Sequence, residues 1–226
     1  MPSSSVHARA VLLAGPSGSG KSHLAAHLGW PVLRLDDFYR DDDDPLLPRD
    51  AAGRADWDAA GSWDTGAAVA AVVALARTGR VEAPTYSISE SRRTGCHEVV
   101  LGDAPAFIAE GLFADRLVAG CREAGVLVDA IVLAPNAWVT FARRFVRDVA
   151  EARKPVAVLV RRGLRLLREQ PDVVRRCAAA GMRVVDPGRA RAELSALRVP
   201  VQAVASTSRD LRTSQATSDS RPTVAR

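Results

Sequence analysis

The stretch "ARAVLLAGPSGSGKSHLAAHLGW", residues 8–30, decides the fold of this 226-residue chain. Residues 8–15 form a short apolar run that ends in glycine, which is typical of a buried β-strand. The residues that follow the loop, "KSHLAAHLGW", predict a helix. Between strand and helix, "GPSGSGKS", Gly15 to Ser22, fits the pattern G-x-x-x-x-G-K-[ST]. A strand, a glycine-rich turn and a helix in this order predict a phosphate-binding loop.

The residue types of this loop suit contact with a nucleotide. Its glycines let the backbone turn tightly and direct N–H groups towards phosphate oxygens, and the helix that follows adds its positive N-terminal end. Lys21 can neutralise the β- and γ-phosphates, and the Ser22 hydroxyl can ligate Mg²⁺. The predicted nucleotide-binding residues are Gly15, Pro16, Ser17, Gly18, Ser19, Gly20, Lys21 and Ser22.

Strands and helices alternate along the rest of the chain. Apolar runs predict further strands at 31–38, 96–102, 104–111 and 126–135. Helices are predicted at 63–79, 136–154 and roughly 156–180, with a break at Pro155, while residues 40–62 are predicted to form a loop. Because parallel strands need crossover connections, this alternation predicts an α/β fold, a parallel sheet with helices on both faces.

Composition and charge limit the class of protein. The hydrophobic fraction of 47% is enough for a core, and the net charge of +5 is spread along the chain, which argues against nucleic-acid binding. No run approaches the roughly 18 apolar residues that span a bilayer, and the N-terminus is not a convincing signal peptide. Cys96, Cys121 and Cys177 share no metal-like spacing and are expected to be buried thiols in a reducing cytosol. We therefore expect a cytoplasmic protein, without nucleic-acid or membrane partners.

Six aspartates occur within the nine residues Asp36 to Asp44. The first two end a predicted strand, and in a parallel sheet ligands bind beyond the carboxyl ends of strands. Asp36 or Asp37 is therefore expected near the γ-phosphate, where a carboxylate can deprotonate an attacking hydroxyl or hold Mg²⁺ through water. The last four, Asp41 to Asp44, precede Pro45 and are interpreted as a solvated loop, because adjacent carboxylates repel one another.

Two further segments carry candidate residues. Glu110 ends the strand "FIAEG" and is predicted to be a Mg²⁺ partner, the alternative being a surface glutamate. The segment "FARRFVRDVAEARK", which contains Arg144 and Arg147, is either a basic solvated helix or a lid whose arginines close over the transferring phosphate.

Six motifs in order, "GPSGSGKS", "LDDFYR", "DWDAAGSWD", "APTYSISESRRTG", "IAEG" and "RRFVRD", resemble the uridine kinase family. That family lies within a group that includes nicotinamide riboside kinase, phosphoribulokinase and type I pantothenate kinase. The resemblance covers roughly residues 9 to 155. It implies a P-loop NTPase-type parallel sheet with a helical lid at about 140–156, in a kinase domain of residues 1–205. Residues 206–226, rich in Ser, Thr and Arg, are predicted to be a disordered tail.

The resemblance also implies roles for catalytic residues. Asp36 matches the family's catalytic aspartate, which takes the proton from a nucleoside 5′-hydroxyl. Ser22 and Glu110 match its magnesium partners, with Asp36 as a further candidate. Arg144 and Arg147 match the lid arginines, and Lys21 acts on the γ-phosphate.

Three residues match positions that bind the acceptor in the family. Asp58 falls on the aspartate that binds ribose hydroxyls, Tyr86 on a tyrosine that contacts the base, and Arg93 on the arginine that closes that motif. Departures fall mainly on base recognition and on the lid. Ala59-Ala60 replaces a His-Pro pair, Ser91 replaces a histidine, and "EARK" only approximates the Arg-Gly-Arg turn of the family's lid.

The expected function is that of an ATP- and Mg²⁺-dependent kinase in nucleoside salvage, whose small-molecule acceptor is a nucleoside such as uridine or cytidine. The altered base-contact positions leave nicotinamide riboside, pantothenate or another sugar-like alcohol as alternative acceptors. A nucleotide-dependent switch is a third hypothesis, although the guanine-reading pattern Asn-Lys-x-Asp of a GTPase is absent. The oligomeric state is left open.

Overall fold

A computed structural model describes residues 6–16, 18–57, 59–135 and 170–197. In these ranges the chain forms a five-stranded parallel sheet and a separate two-stranded antiparallel sheet. The strands are β1 Arg9–Ala14, β2 Val32–Arg34, β3 Arg80–Ser87, β4 Arg92–Val100, β5 Ala106–Glu110, β6 Leu127–Leu133 and β7 Arg183–Val185. The helices are α1 Lys21–Leu28, α2 Thr65–Thr78, α3 Val118–Glu123, α4, whose described part is 170–179, and α5 Pro187–Ala196.

The order of strands in the parallel sheet is β2-β5-β1-β6-β7. β1 lies at the centre, and its side chains alternate between two cores. Ala10, Leu12 and Ala14 face one core, to which α2, α3 and α4 contribute, whereas Val11 and Leu13 face the other, to which α1 and α5 contribute. Because a strand turns successive side chains to opposite faces, the apolar run Ala10–Ala14 of β1 requires cover on both sides. The predicted fold class, a P-loop NTPase-type parallel sheet with helices on both faces, is confirmed.

Strands β3 and β4 form an antiparallel hairpin outside the parallel sheet. The strands predicted at 96–102 and 104–111 are thus connected in sequence, but they lie in different sheets. The hairpin is mostly exposed, and only Ala83 and Val99 are buried within its strands. Strand β3 was not among the predicted strands.

The second predicted strand is shorter than expected. Only Val32–Arg34 pair with β5, and the following Leu35–Phe38 form a 3-10 helix that carries Asp36 and Asp37. The chain leaves the sheet here because Leu35 and Phe38 turn into the core, and the Trp63 indole donates to the Leu35 carbonyl oxygen at 2.7 Å. The two aspartates therefore follow the strand instead of ending it.

Several predictions of elements lie outside the described ranges. These are the helix at 136–154, the lid at about 140–156, the tail at 206–226 and the first part of the helix at 156–180, whose described part is helical. The domain boundary at residue 205 also stays a prediction. No helix within the described residues is long and apolar enough to span a membrane.

The expectation that all three thiols are buried is wrong for one of them. Cys121 and Cys177 are buried, but Cys96 is exposed, because it lies on β4 of the outer hairpin.

Candidate active site at the carboxyl edge of the sheet

The predicted phosphate loop connects β1 to α1, and its conformation depends on glycine. Gly18 and Gly20 have φ angles of 84° and 97°, in the left-handed region that residues with a side chain rarely adopt. A Cβ on Gly15 would lie 2.7 Å from the Ser19 hydroxyl oxygen and 3.0 Å from the Leu133 carbonyl oxygen. Ser17, also predicted to contact the nucleotide, lies outside the described residues.

Lys21 begins α1 and folds back over the loop. Its Nζ donates to the carbonyl oxygen of Gly15 at 2.8 Å and to that of Pro16 at 3.4 Å. Burial lowers the pKa of Lys21, while the nearby Asp36, Glu110 and Cys177 partly oppose that shift. The loop therefore holds a half-buried ammonium group, and a bound polyanion would stabilise its charge.

Ser22 and Glu110 meet where β1 and β5 run side by side. Leu13 of β1 is in register with Glu110, and the Ser22 hydroxyl donates to Glu110 Oε1 at 3.1 Å. Nowhere in the described ranges do three His, Cys, Asp or Glu side chains form a metal-binding group. A hydroxyl and one carboxylate nevertheless fit Mg²⁺, which usually takes one or two protein oxygens and completes its shell with water and substrate phosphates.

The Ser19 hydroxyl also fits a phosphate cradle. It is buried, and its oxygen has no hydrogen-bond partner among the described residues. Buried polar groups are normally satisfied, so an unsatisfied hydroxyl inside a phosphate loop suits a ligand oxygen.

Asp36 lies at the same edge of the sheet as the loop. β1 and β2 flank β5, and Arg34 of β2 is in register with Glu110. Two residues further on, Asp36 Oδ1 accepts a hydrogen bond from the Leu112 backbone N–H at 3.3 Å. The glycine loop and the first aspartate of the acidic tract therefore converge around the end of β5.

Asp37 has a structural role instead. Its side chain is buried, lies 3.7 Å from the Arg34 guanidinium and accepts a hydrogen bond from the Tyr86 backbone N–H at 3.3 Å. Of the two aspartates expected near the γ-phosphate, Asp36 is therefore the one whose carboxylate lies beside the end of β5.

The acidic loop that follows is only partly a solvated one. Asp42 and Asp43 are exposed, as predicted. Asp41 Oδ1, however, accepts a hydrogen bond from the Arg93 backbone N–H at 2.7 Å. Asp44 pairs with Arg40 at 3.0 Å, and hydrogen bonds from the Leu46 N–H and Arg40 lower the pKa of Asp44. These two carboxylates are structural, because Asp41 accepts a hydrogen bond from the outer hairpin and Asp44 accepts hydrogen bonds within its own loop.

The predicted acceptor-binding residues have mixed placements. The Tyr86 hydroxyl donates to the Arg40 carbonyl oxygen at 3.1 Å, and burial raises the pKa of Tyr86. The Arg93 guanidinium lies 4.0 Å from the Asp64 carboxylate. Asp58 and the two arginines predicted to belong to a lid, Arg144 and Arg147, lie outside the described residues.

An aromatic cluster beside these residues was missed as a unit. The ring of Tyr39 lies 5.8 Å from Tyr86, 6.2 Å from Trp57 and 6.0 Å from Phe113, and Phe113 lies 5.8 Å from Trp63. Four of the five rings belong to motifs already singled out, but their convergence needed the fold. Aromatic rings at these separations form a rigid apolar wall.

Arg176 of α4 was also missed. Its guanidinium contacts Asp115 and the Leu112 carbonyl oxygen, just after Glu110. No motif marks it, because the contact joins segments 61 residues apart.

Comparisons with known proteins find similarity to kinases. No family model matches the chain. It is 30% identical over 150 residues to the uridine kinase of Saccharomyces cerevisiae, a match that covers 61% of this chain and 28% of that protein. The chain thus spans little more than a quarter of that curated relative.

Among solved structures, a proposed fructose transport system kinase from Silicibacter sp. TM1040 superposes with a TM-score of 0.52 and 21% identity, covering 83% of this chain and 91% of that one. A candidate uridine kinase from Bacillus stearothermophilus gives a TM-score of 0.44 and 19% identity, with coverage of 65% and 82%. The resemblance inferred from the six motifs is therefore confirmed: the chain is related in sequence to a uridine kinase and has the fold of the P-loop kinases.

Proposed function

We propose that this protein is an ATP- and Mg²⁺-dependent kinase that phosphorylates a hydroxyl group of a small molecule, with the 5′-hydroxyl of a nucleoside as the leading acceptor. One observation carries the proposal: the phosphate loop, the Ser22–Glu110 pair and Asp36 meet around the end of β5. The sequence relationship to a uridine kinase supports it. We expect this activity in the cytoplasm, in nucleoside salvage.

In this proposal the loop residues bind the triphosphate of ATP as a substrate. Their backbone N–H groups and Lys21 neutralise its charge, and the phosphate also stabilises the half-buried ammonium group of Lys21. Ser22 and Glu110 would hold Mg²⁺, with Asp36 contributing through water. When bound, the metal ion supplies charge neutralisation to the transferring phosphoryl group.

Asp36 would act on the acceptor. As the acceptor oxygen forms its bond to the γ-phosphorus, the bond between that phosphorus and the β–γ bridging oxygen breaks. The hydroxyl proton passes to the Asp36 carboxylate, and ADP leaves with the bridging oxygen. Arg144 and Arg147 are proposed to close over the transferring group.

Asp58, Tyr86 and Arg93 are the proposed acceptor-binding residues. A carboxylate at Asp58 can accept two hydrogen bonds from a vicinal diol. The aromatic wall next to Tyr86 favours a planar ring in the acceptor, which is the observation in favour of a nucleoside.

A second candidate keeps the chemistry and changes the acceptor to nicotinamide riboside, pantothenate or another sugar-like alcohol. It is favoured by Ser91, which replaces a base-reading histidine and occupies a left-handed turn with φ 52°. Its carbonyl oxygen accepts a hydrogen bond from the Asp42 N–H at 2.9 Å, so this position serves the hairpin.

The experiment is incubation with ATP, Mg²⁺ and a panel of nucleosides, nicotinamide riboside, pantothenate and sugars, with products read by mass spectrometry and ADP release. Our proposal expects a phosphorylated nucleoside and ADP in equal amounts. A different phosphorylated alcohol would support the second candidate. Slow ATP hydrolysis that no acceptor accelerates would contradict both and favour a nucleotide-dependent switch.

A further inference from the structure

The side chain of Arg176, on α4, contacts the loop that follows the carboxyl end of β5. Its Nε and one terminal nitrogen donate to the two Asp115 oxygens at 3.1 and 3.3 Å, and that terminal nitrogen also donates to the Leu112 carbonyl oxygen at 3.1 Å. The guanidinium carbon lies 5.5 Å from the centre of the Phe113 ring, within the range of a cation–π contact. One side chain thus holds three residues of the segment 112–115.

The residue that Arg176 holds is the one that contacts Asp36. Leu112 offers its carbonyl oxygen to Arg176 and donates its N–H to Asp36 Oδ1 at 3.3 Å. The preceding Gly111 donates to the Leu13 carbonyl oxygen at 3.2 Å, which ties the start of the loop to β1. Movement of the Leu112 backbone would therefore move a hydrogen-bond donor of Asp36.

We propose that Arg176 is a positioning residue for Asp36, acting through the Leu112 backbone. The inference rests on the proposed function, because Asp36 has a reaction to perform only in a phosphotransferase. It links α4, which follows the predicted lid in the sequence, to the group that receives the acceptor's proton. Arg176 itself touches neither substrate nor phosphate in this account.

The chemistry of the contact requires arginine. Asp115 is only 3% exposed, and a buried carboxylate needs a charged partner with several donors. The planar guanidinium can serve Asp115 and the Leu112 carbonyl oxygen together, whereas a lysine ammonium is a single point charge on a flexible stem. Lysine at position 176 is therefore expected to keep the ion pair with Asp115 and to lose the hold on Leu112.

A purely structural ion pair between Arg176 and Asp115 is the competing explanation. It predicts that Arg176→Lys changes stability alone. Positioning predicts in addition that the effect of Arg176→Lys disappears when Asp36 is already replaced, since residues acting through one another are not additive.

The first measurement does not depend on activity. It is the amide resonance of Leu112 in ¹⁵N-labelled full-length protein, recorded for the wild type, Asp36→Asn, Arg176→Lys and the double variant. We expect Asp36→Asn to shift the Leu112 amide in the wild-type background and to shift it much less in the Arg176→Lys background. Equal shifts in both backgrounds would overturn the inference.

The second measurement is kinetic, with the acceptor identified by the product analysis. We expect Arg176→Lys to lower kcat about 10-fold or more and to change the KM for ATP less than about 2-fold, because misplacement of about 1 Å can cost as much as 10²-fold in rate. In the Asp36→Asn background the same substitution should change kcat less than about 2-fold. An equal loss of kcat in both backgrounds would contradict positioning.

The matched control is Arg175→Lys, the same substitution one residue earlier. Arg175 is exposed and its charged partner is Asp172 on its own helix, so we expect neither the Leu112 amide nor kcat to change. If Arg176→Lys fails to fold, Arg176→Met with Asp115→Leu removes the pair without leaving a lone buried charge, since the other partner of Asp115, Arg116, is exposed, and the same two results are expected. If the Leu112 amide shift depends on both positions 36 and 176 but no phosphotransfer is found, the proposed function is rejected and the contact by which Arg176 positions Asp36 is still supported.

Discussion

At the scale of single residues, the candidate site depends on a close approach at Gly111. This residue follows Glu110, and its backbone passes directly beside the 3-10 helix that carries Asp36. A Cβ at position 111 would lie 2.7 Å from the Leu35 Cβ and 3.0 Å from Asp36 Oδ1. Both neighbours are held in place, Leu35 by burial and Asp36 by the Leu112 N–H, so neither can easily move away.

We predict that Gly111→Ala destabilises the protein by about 1–3 kcal/mol, as overpacking of a well-packed site does, and displaces Asp36. Phosphotransfer should fall with it. Thermal unfolding and kcat measure the two effects. Gly95→Ala is the matched control, because a Cβ there meets nothing within 4 Å. Equal behaviour of the two variants would show that the close approach at Gly111 is unimportant.

Lys21 predicts a proton effect on nucleotide binding. Burial lowers the pKa of Lys21 in the free protein, and bound phosphates should raise that pKa again. Between the two pKa values the complex holds a proton that the free protein lacks, so ATP binding should take up protons and weaken as the pH rises through that window. Calorimetry over a series of pH values, in buffers of different ionisation enthalpy, measures the uptake.

The proton uptake by Lys21 should vanish when the pH is lowered below the pKa of Lys21 in the free protein, since Lys21 is then fully protonated both in the free protein and in the ATP complex. Proton release on binding at alkaline pH would contradict this account of Lys21.

At the scale of elements, the acidic tract holds the outer hairpin beside the parallel sheet. Asp37 accepts a hydrogen bond from the Tyr86 N–H of β3, and Asp41 accepts one from the Arg93 N–H of β4. The two aspartates thus fix the hairpin at the two residues that are proposed to meet the acceptor. The hairpin buries little of its own surface, so these contacts matter for its placement.

We predict that Asp37→Ala raises the KM for the acceptor several-fold and leaves ATP affinity unchanged. It should cost about 1–3 kcal/mol of stability, because the half-buried Tyr86 N–H loses its acceptor. Asp43→Ala, at an exposed position of the same tract, is the control and should change neither quantity. If Asp37→Ala weakened ATP affinity and raised the KM for the acceptor by the same factor, the hairpin would not contact the acceptor separately from ATP, and the prediction would be wrong.

The sequence predicted some elements and not others for physical reasons. β1, the glycine loop and α1 were predictable because their signals are local: an apolar run, glycines and a following helix. β3 was missed because it contains Pro84 and alternates only weakly between buried and exposed residues. The short 3-10 helix Leu35–Phe38 was missed because the Trp63 contact that shapes it comes from far along the chain.

The residues of the candidate site were also predictable from the sequence only in part. Motif spacing predicted that Asp36, Ser22 and Glu110 share one edge of the sheet, since parallel strands end together. Arg176 could not be predicted, because its partners Asp115 and Leu112 are 61 and 64 residues away in sequence. The structural role of Asp41 and Asp44 needed the positions of their donors, which charge patterning alone does not give.

At the scale of the whole molecule, the parallel sheet has a core on each face, and the hairpin lies outside this sheet but contributes Ala83 and Val99 to one of the cores. The exposure of the three cysteines follows from this arrangement. Cys121 and Cys177 belong to a core, where burial raises the pKa of each thiol to about 11. Cys96 is exposed on the hairpin, although a hydrogen bond with the Glu82 carboxylate raises its pKa.

We predict that a thiol reagent labels only Cys96 in the folded protein and all three cysteines after denaturation. Labelling of Cys96 should accelerate as the pH rises, because the thiolate is the reactive form. Peptide mass spectrometry after brief labelling identifies the sites. Rapid modification of Cys177 in the folded protein would contradict the packing of α4 against the sheet.

The central claim is that a triphosphate and an alcohol meet between the glycine loop and Asp36. Asp36→Asn tests it most directly, because asparagine has nearly the same shape, can still accept the Leu112 hydrogen bond and cannot take a proton as a carboxylate does. The measurement is single-turnover phosphotransfer, with ATP affinity determined on the same sample. We predict ATP affinity within about 3-fold of the wild type and a transfer rate at least about 10²-fold lower, the usual range for a lost general base. Transfer at the wild-type rate would contradict the account.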